Sequence, residues 1–301
     1  MAAERVVLVA GAGGYIGSRL VMSLRQAWPE ARVVAVARHA PPGGLALDLR
    51  DAAATAALVS ELRPDVVFQL AGVIQSNDWD ELYRTNVLTT LNMLQALAAW
   101  PAGAATRVVV AGSAAEYGLV DPAAMPVQES SAPNPVLPYG VSKAWQTTLA
   151  RAFAARGLHV VVGRIVNVFG ALAPASTSLG AFAQQIRAAR DGGVPGQMRV
   201  GNLSPRRDFV DIHDIADALI ALAERGQRGS VYNICSGQSV AVGDALAQMV
   251  ALSGVAMEVV TDPARVRPVD VPDIRGSLVQ IERDTGWRPR VAFEASLRAM
   301  L

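Results

Sequence analysis

Short apolar runs of strand length alternate along this chain with longer segments in which apolar residues recur every three or four positions. The runs at Val6–Ala10, Arg32–Ala37, 45–49, 66–70, 107–111, His159–Ile165 and Val231–Ile234 have strand length and β-branched composition. Helical spacing lies between them: through Leu20 and Leu24, over 79–99, over 138–156 with Trp145, Leu149, Ala152 and Phe153 in one stripe, and over 215–223. Strand and helix in alternation predict an α/β fold, a Rossmann-like doubly wound parallel sheet. After residue 170 the pattern loosens. Residues 171–201 are rich in Ala, Ser, Gly and Pro around one helical piece at 182–190, and 240–301 mixes helical patterns with a short strand at 257–260. Residues 1–169, rejoined by 207–235, therefore read as the sheet domain, and 170–206 with 236–301 as a smaller C-terminal lobe.

Composition narrows the function without naming it. Apolar residues make up 51% and charged ones 18%, which is globular, and the net charge of +1 includes no long run of either sign. No nucleic-acid or polybasic membrane surface is indicated. The two longest uncharged stretches, 85–106 and 165–186, are broken by Asn, Gln, Ser, Thr, Gly and Pro and do not read as membrane spans. A first strand close to Met1 leaves no room for a signal peptide, and a lone Cys235 builds no disulfide framework, so a cytoplasmic setting is expected. No Cys/His/Asp cluster has metal-ligand spacing, so no metal is expected.

The candidate chemistry begins directly after the first strand. Gly11-Ala12-Gly13-Gly14-Tyr15-Ile16-Gly17 lies between strand and helix, the context a dinucleotide fingerprint requires. Gly11 permits the tight turn, Gly14 the approach of a pyrophosphate to the helix end that Tyr15 and Ile16 open, and Gly17 close packing of helix on strand. The second strand ends in Ala37-Arg38, where an NAD-preferring protein usually has an acid for the ribose 2′-hydroxyl. A guanidinium there can pair with a 2′-phosphate, which favours NADP(H) and leaves NAD(H) possible; a solvated arginine is the alternative. Asp48-Leu49 could lie beside the adenine, and Leu70, Ala71 and Gly72, leaving the fourth strand, allow close approach to the cofactor. Asn86, on the 79–99 helix, is either a helix polar group or a bridge between backbone and catalytic water.

Lys143 is the chain's sole lysine and follows Tyr139 by four residues, on one face of the helix that Pro138 opens and Gly157 can close. A phenol titrates near ~10, so acid/base work at neutral pH asks for about three pH units, roughly 4 kcal/mol. One ammonium ~4 Å away at an effective dielectric of ~20 supplies about that much. Ser113, upstream, leaves the fifth strand at the sheet edge where ligands of open α/β sheets bind; it is either a turn residue or a hydrogen-bond partner for a substrate oxygen.

Together these residues resemble the extended short-chain dehydrogenase/reductases, which act mostly on nucleotide-sugars. The match runs through G-x-x-G-x-x-G at Gly11, Gly14 and Gly17, Asp48 before Leu49, Asn86, Ser113 five residues before Gly118, and Tyr139 with Lys143. The resemblance implies a catalytic Ser113, Tyr139 and Lys143, an adenine contact at Asp48, and a C-terminal lobe that binds the substrate. It also implies diphosphate contacts by Asn167 and by Arg207 of the R-D-F-V stretch, a nucleotide contact by Arg267 of Arg267-Pro268-Val269-Asp270-Val271-Pro272, and a homodimer through the helices at 79–99 and 138–156. Val231–Gly237, Asp262–Arg265 and Gly286-Trp287-Arg288-Pro289 look most like GDP-4-dehydro-6-deoxy-D-mannose reductases, although Val166–Leu172 departs from their usual F-N-H-x-G-P-G.

The implied activity is NADPH-dependent reduction of a nucleotide-4-keto-6-deoxyhexose. A 4-epimerase with retained NAD, a dTDP- or UDP-linked 4-ketoreductase and a non-catalytic dinucleotide sensor are the alternatives. Dehydratases of this resemblance carry a glutamate two residues after the catalytic Ser/Thr. Here Ala114 and Ala115 follow Ser113, and Glu116 falls one residue later, on the opposite side of an extended segment. The 2′-phosphate reading makes a direct prediction. Losing one charge-assisted contact costs about 1.5–3 kcal/mol, so Arg38→Ala should weaken NADPH binding by at least about tenfold and leave NADH little changed. Titration with both cofactors checks this, and equal losses would remove Arg38 from the phosphate.

Overall fold

The computed structural model describes residues 4–192, 196–266 and 271–301. In chain order its strands are β1 (Val6–Ala10), β2 (Arg32–Ala37), β3 (Leu45–Ala46), β4 (Val66–Gln69), β5 (Arg107–Ser113), β6 (His159–Ile165), β7 (Asn167–Phe169), β8 (Gly196–Val200), β9 (Arg206–Asp211), β10 (Val231–Ile234), β11 (Ser239–Ala241) and β12 (Met257–Thr261). A seven-stranded sheet runs β10-β6-β5-β4-β1-β2-β3, every neighbour parallel. The order reverses between β1 and β4, and the crevice at that switch point is where ligands of doubly wound sheets bind.

Successive strand residues point to opposite faces, so the central strands must be apolar on both. Val7 and Val9 of β1 join Phe68, Val109 and Val161 under α1 (Tyr15–Ala27), and Leu8 and Ala10 join Val67, Val110 and Val162 under α2 (Ala52–Leu62). The second face is completed by a helix over residues 79–99, which starts as α3 (Trp79–Leu82), widens to a π turn at Tyr83–Leu88 and continues as α4 (Thr89–Ala99). Behind it packs α5 (Pro138–Ala155) through Ala150 and Phe153. Then follow α6 (Ser178–Gly192) and α7 (Ile212–Arg225), whose Ile215, Leu219 and Leu222 return to the first face. Each such side chain, fully buried, contributes roughly 1.5–3 kcal/mol.

A separate apolar cluster lies beyond the C-terminal end of the large sheet. It gathers Phe169, Leu179, Phe182 and Ile186 with Phe209, Met198, and Leu246 and Met249 of α8 (Val242–Ser253). The three-stranded sheet β11-β9-β7 and the β12-β8 pair frame it, so the chain returns to the large sheet only with α7 and β10. Past α9 (Val279–Thr285), Asp214 fastens the C-terminal segment. Its carboxylate accepts from the amides of Arg290 and Val291, both at 3.0 Å, and its carbonyl accepts from the Trp287 indole at 3.1 Å. The last helix, α10 (Phe293–Met300), buries Leu297 and Met300 in the lobe.

Two strands of the large sheet differ from the periodicity by more than one residue. The third strand, expected over 45–49, ends at Ala46: Leu47 N donates to Ala37 O at 2.9 Å, and then Asp51 N closes a turn on Asp48 O at 3.0 Å. The fifth strand, expected to stop at 111, runs on to Ser113, paired in register with Ile165.

Candidate active site

The glycine loop sits at the switch point because nothing larger fits there. A Cβ at Gly17 would lie 2.2 Å from Gly11 O, and one on Gly11, whose φ is +85°, would lie 2.6 Å from Ala71 N. The loop is thus pressed against Leu70-Ala71-Gly72 at the end of β4. The α1 N-terminus that Tyr15 and Ile16 open has Gly14 as its cap residue and no side-chain cap, so its amide dipoles face the crevice. A close-approach cradle beside an uncapped helix end fits the pyrophosphate of a dinucleotide. Tyr15 does more than open the helix: its hydroxyl donates to Ala171 O at 3.0 Å, joining the glycine loop to the lobe.

At the far end of the crevice Arg38 is exposed at the tip of β2. Asp48 is held by Arg50, Nη2 to Oδ2 at 2.5 Å and Nε to Oδ1 at 2.9 Å. Arg50, with a smaller contribution from Arg38, holds the Asp48 carboxyl below its ordinary range. Sequence reasoning missed Arg50, which brings a second guanidinium to this end. Leu49 is not at the surface; it is buried in the core.

Ser113, Tyr139 and Lys143 come together at the C-terminal edge of β5. Ser113 closes the strand and caps the turn after it, its Oγ accepting from Ala115 N at 3.2 Å. Tyr139 enters from the first turn of α5, half-buried. Burial pushes its phenol up to about 12; hydrogen bonding with Ser113 opposes the shift and the charge of Glu116 adds to it. Lys143, one turn on, is buried, and its Nζ donates to Ala111 O and to Gln146 Oε1. Burial pushes its ammonium down to about 8 against the opposing charge of Glu116. The expectation that Lys143 draws the phenol toward neutrality therefore needs correction: desolvation dominates, and the ammonium is directed at a carbonyl and an amide. At neutral pH Tyr139 keeps its proton and Lys143 its charge, the arrangement of a proton donor.

Asn86 is buried in the π turn, which carries it inward. Its Oδ1 accepts from Val73 N at 2.7 Å, and its Nδ2 donates to Val73 O at 3.0 Å and Ser142 Oγ at 2.9 Å. Glu116 is fully buried, one carboxylate oxygen accepting from Ser113 N at 3.0 Å and the other from Arg164 Nε at 2.9 Å. So engaged, both of its carboxylate oxygens are committed, one to a backbone amide and one to a guanidinium.

On β7 and β9, Asn167 Nδ2 donates to Asp208 O at 3.0 Å, and Arg207 Nη1 to Val271 O at 2.6 Å. Arg267 lies outside the described residues. Asp208 gathers the amides of Ser236, Gly237 and Gly276 around one carboxylate, at 2.7, 3.1 and 3.2 Å; burial nevertheless pushes it up to about 6. Cys235 is buried and its thiol pushed up by burial, which makes it inert packing. Among the described residues no group of three or more His, Cys, Asp or Glu could hold a metal ion, and no helix is long and apolar enough to cross a membrane. Arg164 and Gln146 were not singled out from the sequence, and Glu116 was read there only as an acid displaced from the dehydratase position. Gln146 was within reach of helix spacing, three residues after Lys143 on the same face.

The depressed lysine sets a pH dependence. Its folded value, about 8, lies below the ordinary 10.5, so between the two the unfolded chain binds more protons and folding strengthens as pH rises. Lys143→Met lacks this term. From about pH 7.5 to about pH 10 the wild type should therefore gain about 2 kcal/mol of stability relative to the variant. Urea unfolding of both proteins at the two pH values checks this; a constant difference would show an ordinary lysine.

The model of the NAD dependent epimerase/dehydratase family matches residues 7–235. The chain is 32% identical to the GDP-6-deoxy-D-mannose reductase of Pseudomonas aeruginosa, over 98% of this chain and 95% of that protein. It is also 32% identical to the dTDP-6-deoxy-L-talose 4-dehydrogenase (NAD(P)(+)) of Kitasatospora kifunensis, over 98% and 94%. Among solved structures, RMD from Pseudomonas aeruginosa complexed with NADPH superposes with a TM-score of 0.86 at 30% identity, covering 99% of this chain and 97% of that one. With its parallel Rossmann-like sheet and glycine loop, this chain belongs to the NAD dependent epimerase/dehydratase family, the extended short-chain dehydrogenase/reductases.

Proposed function

We propose that the protein is an NADPH-dependent reductase of the 4-keto group of a nucleotide-4-keto-6-deoxyhexose, with GDP-4-dehydro-6-deoxy-D-mannose, reduced to GDP-D-rhamnose, as the leading substrate. The observation that carries the reading is the convergence of Ser113 at the end of β5 with Tyr139 and the buried Lys143 of α5, at the sheet edge next to the glycine-loop crevice. When bound, the nicotinamide cofactor supplies hydride to the sugar C4.

The chain's own residues do the rest. Gly11, Gly14, Tyr15, Ile16 and Gly17 cradle the pyrophosphate, Leu70, Ala71 and Gly72 wall the crevice, and Arg38 with Asp48 takes the adenosine end. Ser113 Oγ orients the ketone oxygen, Tyr139 Oη gives it a proton, and the Lys143 charge one helical turn away offsets part of the desolvation cost of the phenolate left behind. Asn86 holds the Tyr139 turn through Ser142. The nucleotide-sugar lies between residues 1–169 and the lobe, with Asn167, Arg207 and Arg267 toward its diphosphate. The likeness to a GDP-6-deoxy-D-mannose reductase supports the sugar and nucleotide, and the NADPH complex of a similar structure supports the cofactor. The engagement of Glu116 by Arg164 and the Ser113 amide supports a reductase without dehydration chemistry.

Purified protein with NADPH and a panel of GDP-, dTDP- and UDP-4-keto-6-deoxy sugars should consume NADPH with the GDP-linked ketone, and NMR should identify the C4 alcohol. Interconversion of C4 epimers without cofactor consumption would replace the reading with an epimerase. Tyr139→Phe should abolish turnover while binding NADPH nearly as well, and near-normal turnover would remove Tyr139 from the proton step. GDP-mannose with NADP⁺ should give no 4-keto-6-deoxy product; its formation at catalytic rates would contradict the engaged Glu116.

We also infer a homodimer through the helices at 79–99 and 138–156. Trp79 and Trp145 pair across them at 6.2 Å between ring centroids, while remaining 50% and 45% exposed. Light scattering should give twice the 31.6 kDa chain mass; a monomer throughout the micromolar range would contradict it.

A further inference from the structure

We infer that Gln146 is the positioning residue for Lys143, its side-chain oxygen receiving the ammonium and its amide nitrogen anchoring that hold, through Thr90, to the π turn that carries Asn86. Gln146 and Thr90 are fully buried. Lys143 Nζ donates to Gln146 Oε1, Gln146 Nε2 donates to Thr90 Oγ1 at 2.7 Å, and the Thr90 hydroxyl donates to Asn86 O at 3.0 Å. Chemistry fixes the amide's orientation. An ammonium accepts nothing, so the amide oxygen must face it, and a hydroxyl whose proton is committed to a carbonyl must accept from the amide nitrogen.

The chain of bonds then returns to the start of α5. Asn86 Nδ2 donates to Ser142 Oγ at 2.9 Å, and Ser142 Oγ donates to Tyr139 O at 2.7 Å. Tyr139 and Lys143 are thus held by one circuit whose far side is the π turn, and Gln146 is the member that touches the charge. Helix spacing alone makes Tyr139 and Lys143 neighbours. It does not say which of the ammonium's many rotamers is populated, and Gln146 with Ala111 O selects one.

An uncharged acceptor at this place also favours the charged lysine. From β5 and the turn after it, Lys143 meets Ala111 O and the charge of Glu116, which is itself paired with Arg164. On its own helix the titratable neighbour is Tyr139, and α4 and the π turn reach the site through the uncharged Thr90 and Asn86, which bond Gln146 and Ser142. Removing Gln146 Oε1 therefore leaves the ammonium with fewer acceptors in a dry site, and a carboxylate in its place adds attraction.

The lone lysine makes this measurable without substrate. Protein labelled with ¹³C at lysine Cε carries one lysine signal, and its shift against pH reads the Lys143 titration directly. Relative to wild type, Gln146→Met should titrate lower by about one pH unit or more, and Gln146→Glu higher by a similar amount. Under the proposed reductase reading, on which only the kinetic arm rests, the pH profile of kcat should move with the NMR midpoint in each variant while KM for the nucleotide-sugar changes little. If Gln146→Met does not fold, Gln146→Glu still reports the upward shift. Unchanged or reversed midpoints in folded variants would overturn the inference whatever the activity. A wild-type protein that reduces no keto-sugar would sink the functional reading and leave the NMR comparison standing.

Discussion

The cost of placing one ammonium in a dry site organises the polar interior of this protein. Lys143 is 5% exposed, and an isolated charge so placed would be neutral rather than tolerated. Its Nζ finds a backbone carbonyl and an amide oxygen, and the field of Glu116 opposes its loss of charge. Glu116 then needs a counter-charge of its own, which Arg164 of β6 provides. The Arg164 guanidinium lies 4.6 Å over the Tyr117 ring, and the Tyr117 hydroxyl donates to Asn233 of β10 at 2.7 Å. A single buried charge beside the end of β5 has thereby recruited polar residues from two more strands. Each member is satisfied by the next, the condition under which a buried network rigidifies rather than destabilises.

Much of this was legible in the sequence. The strands of the large sheet, the glycine turn and the start of α5 at Pro138 were readable because each follows from local rules: strand length, φ freedom at Gly11, the missing amide of proline. What escaped was decided by tertiary partners. Leu45 begins an edge strand whose end depends on a turn from Asp48 to Asp51, and no apolar spacing reveals that turn. The acidity of Tyr139 depends on how dry its surroundings are, and adjacency to Lys143 along a helix says nothing of that. Glu116 looked displaced because of an extended-strand argument; its actual engagement required Arg164, 48 positions away.

The lobe is attached by a small number of well-satisfied groups. Asp208 and Asp214 each gather backbone amides from separate loops, and Asn167 spends its amide nitrogen on the carbonyl of Asp208. The Tyr15 hydroxyl on Ala171 O adds a contact from the glycine loop itself. The glycine loop and the first turn of the lobe are thereby tied directly to one another.

The burial of the only lysine has an outcome for the exterior. With 27 basic residues of which one is Lys143, the positive charge that faces water is carried by guanidinium groups and the occasional imidazole. A guanidinium keeps its proton to beyond about pH 12, whereas surface ammonium groups would begin to discharge near ~10. Raising the pH through the alkaline range thus leaves the outer cationic shell intact, and amine-directed reagents find no side chain to modify on the outside of the folded molecule.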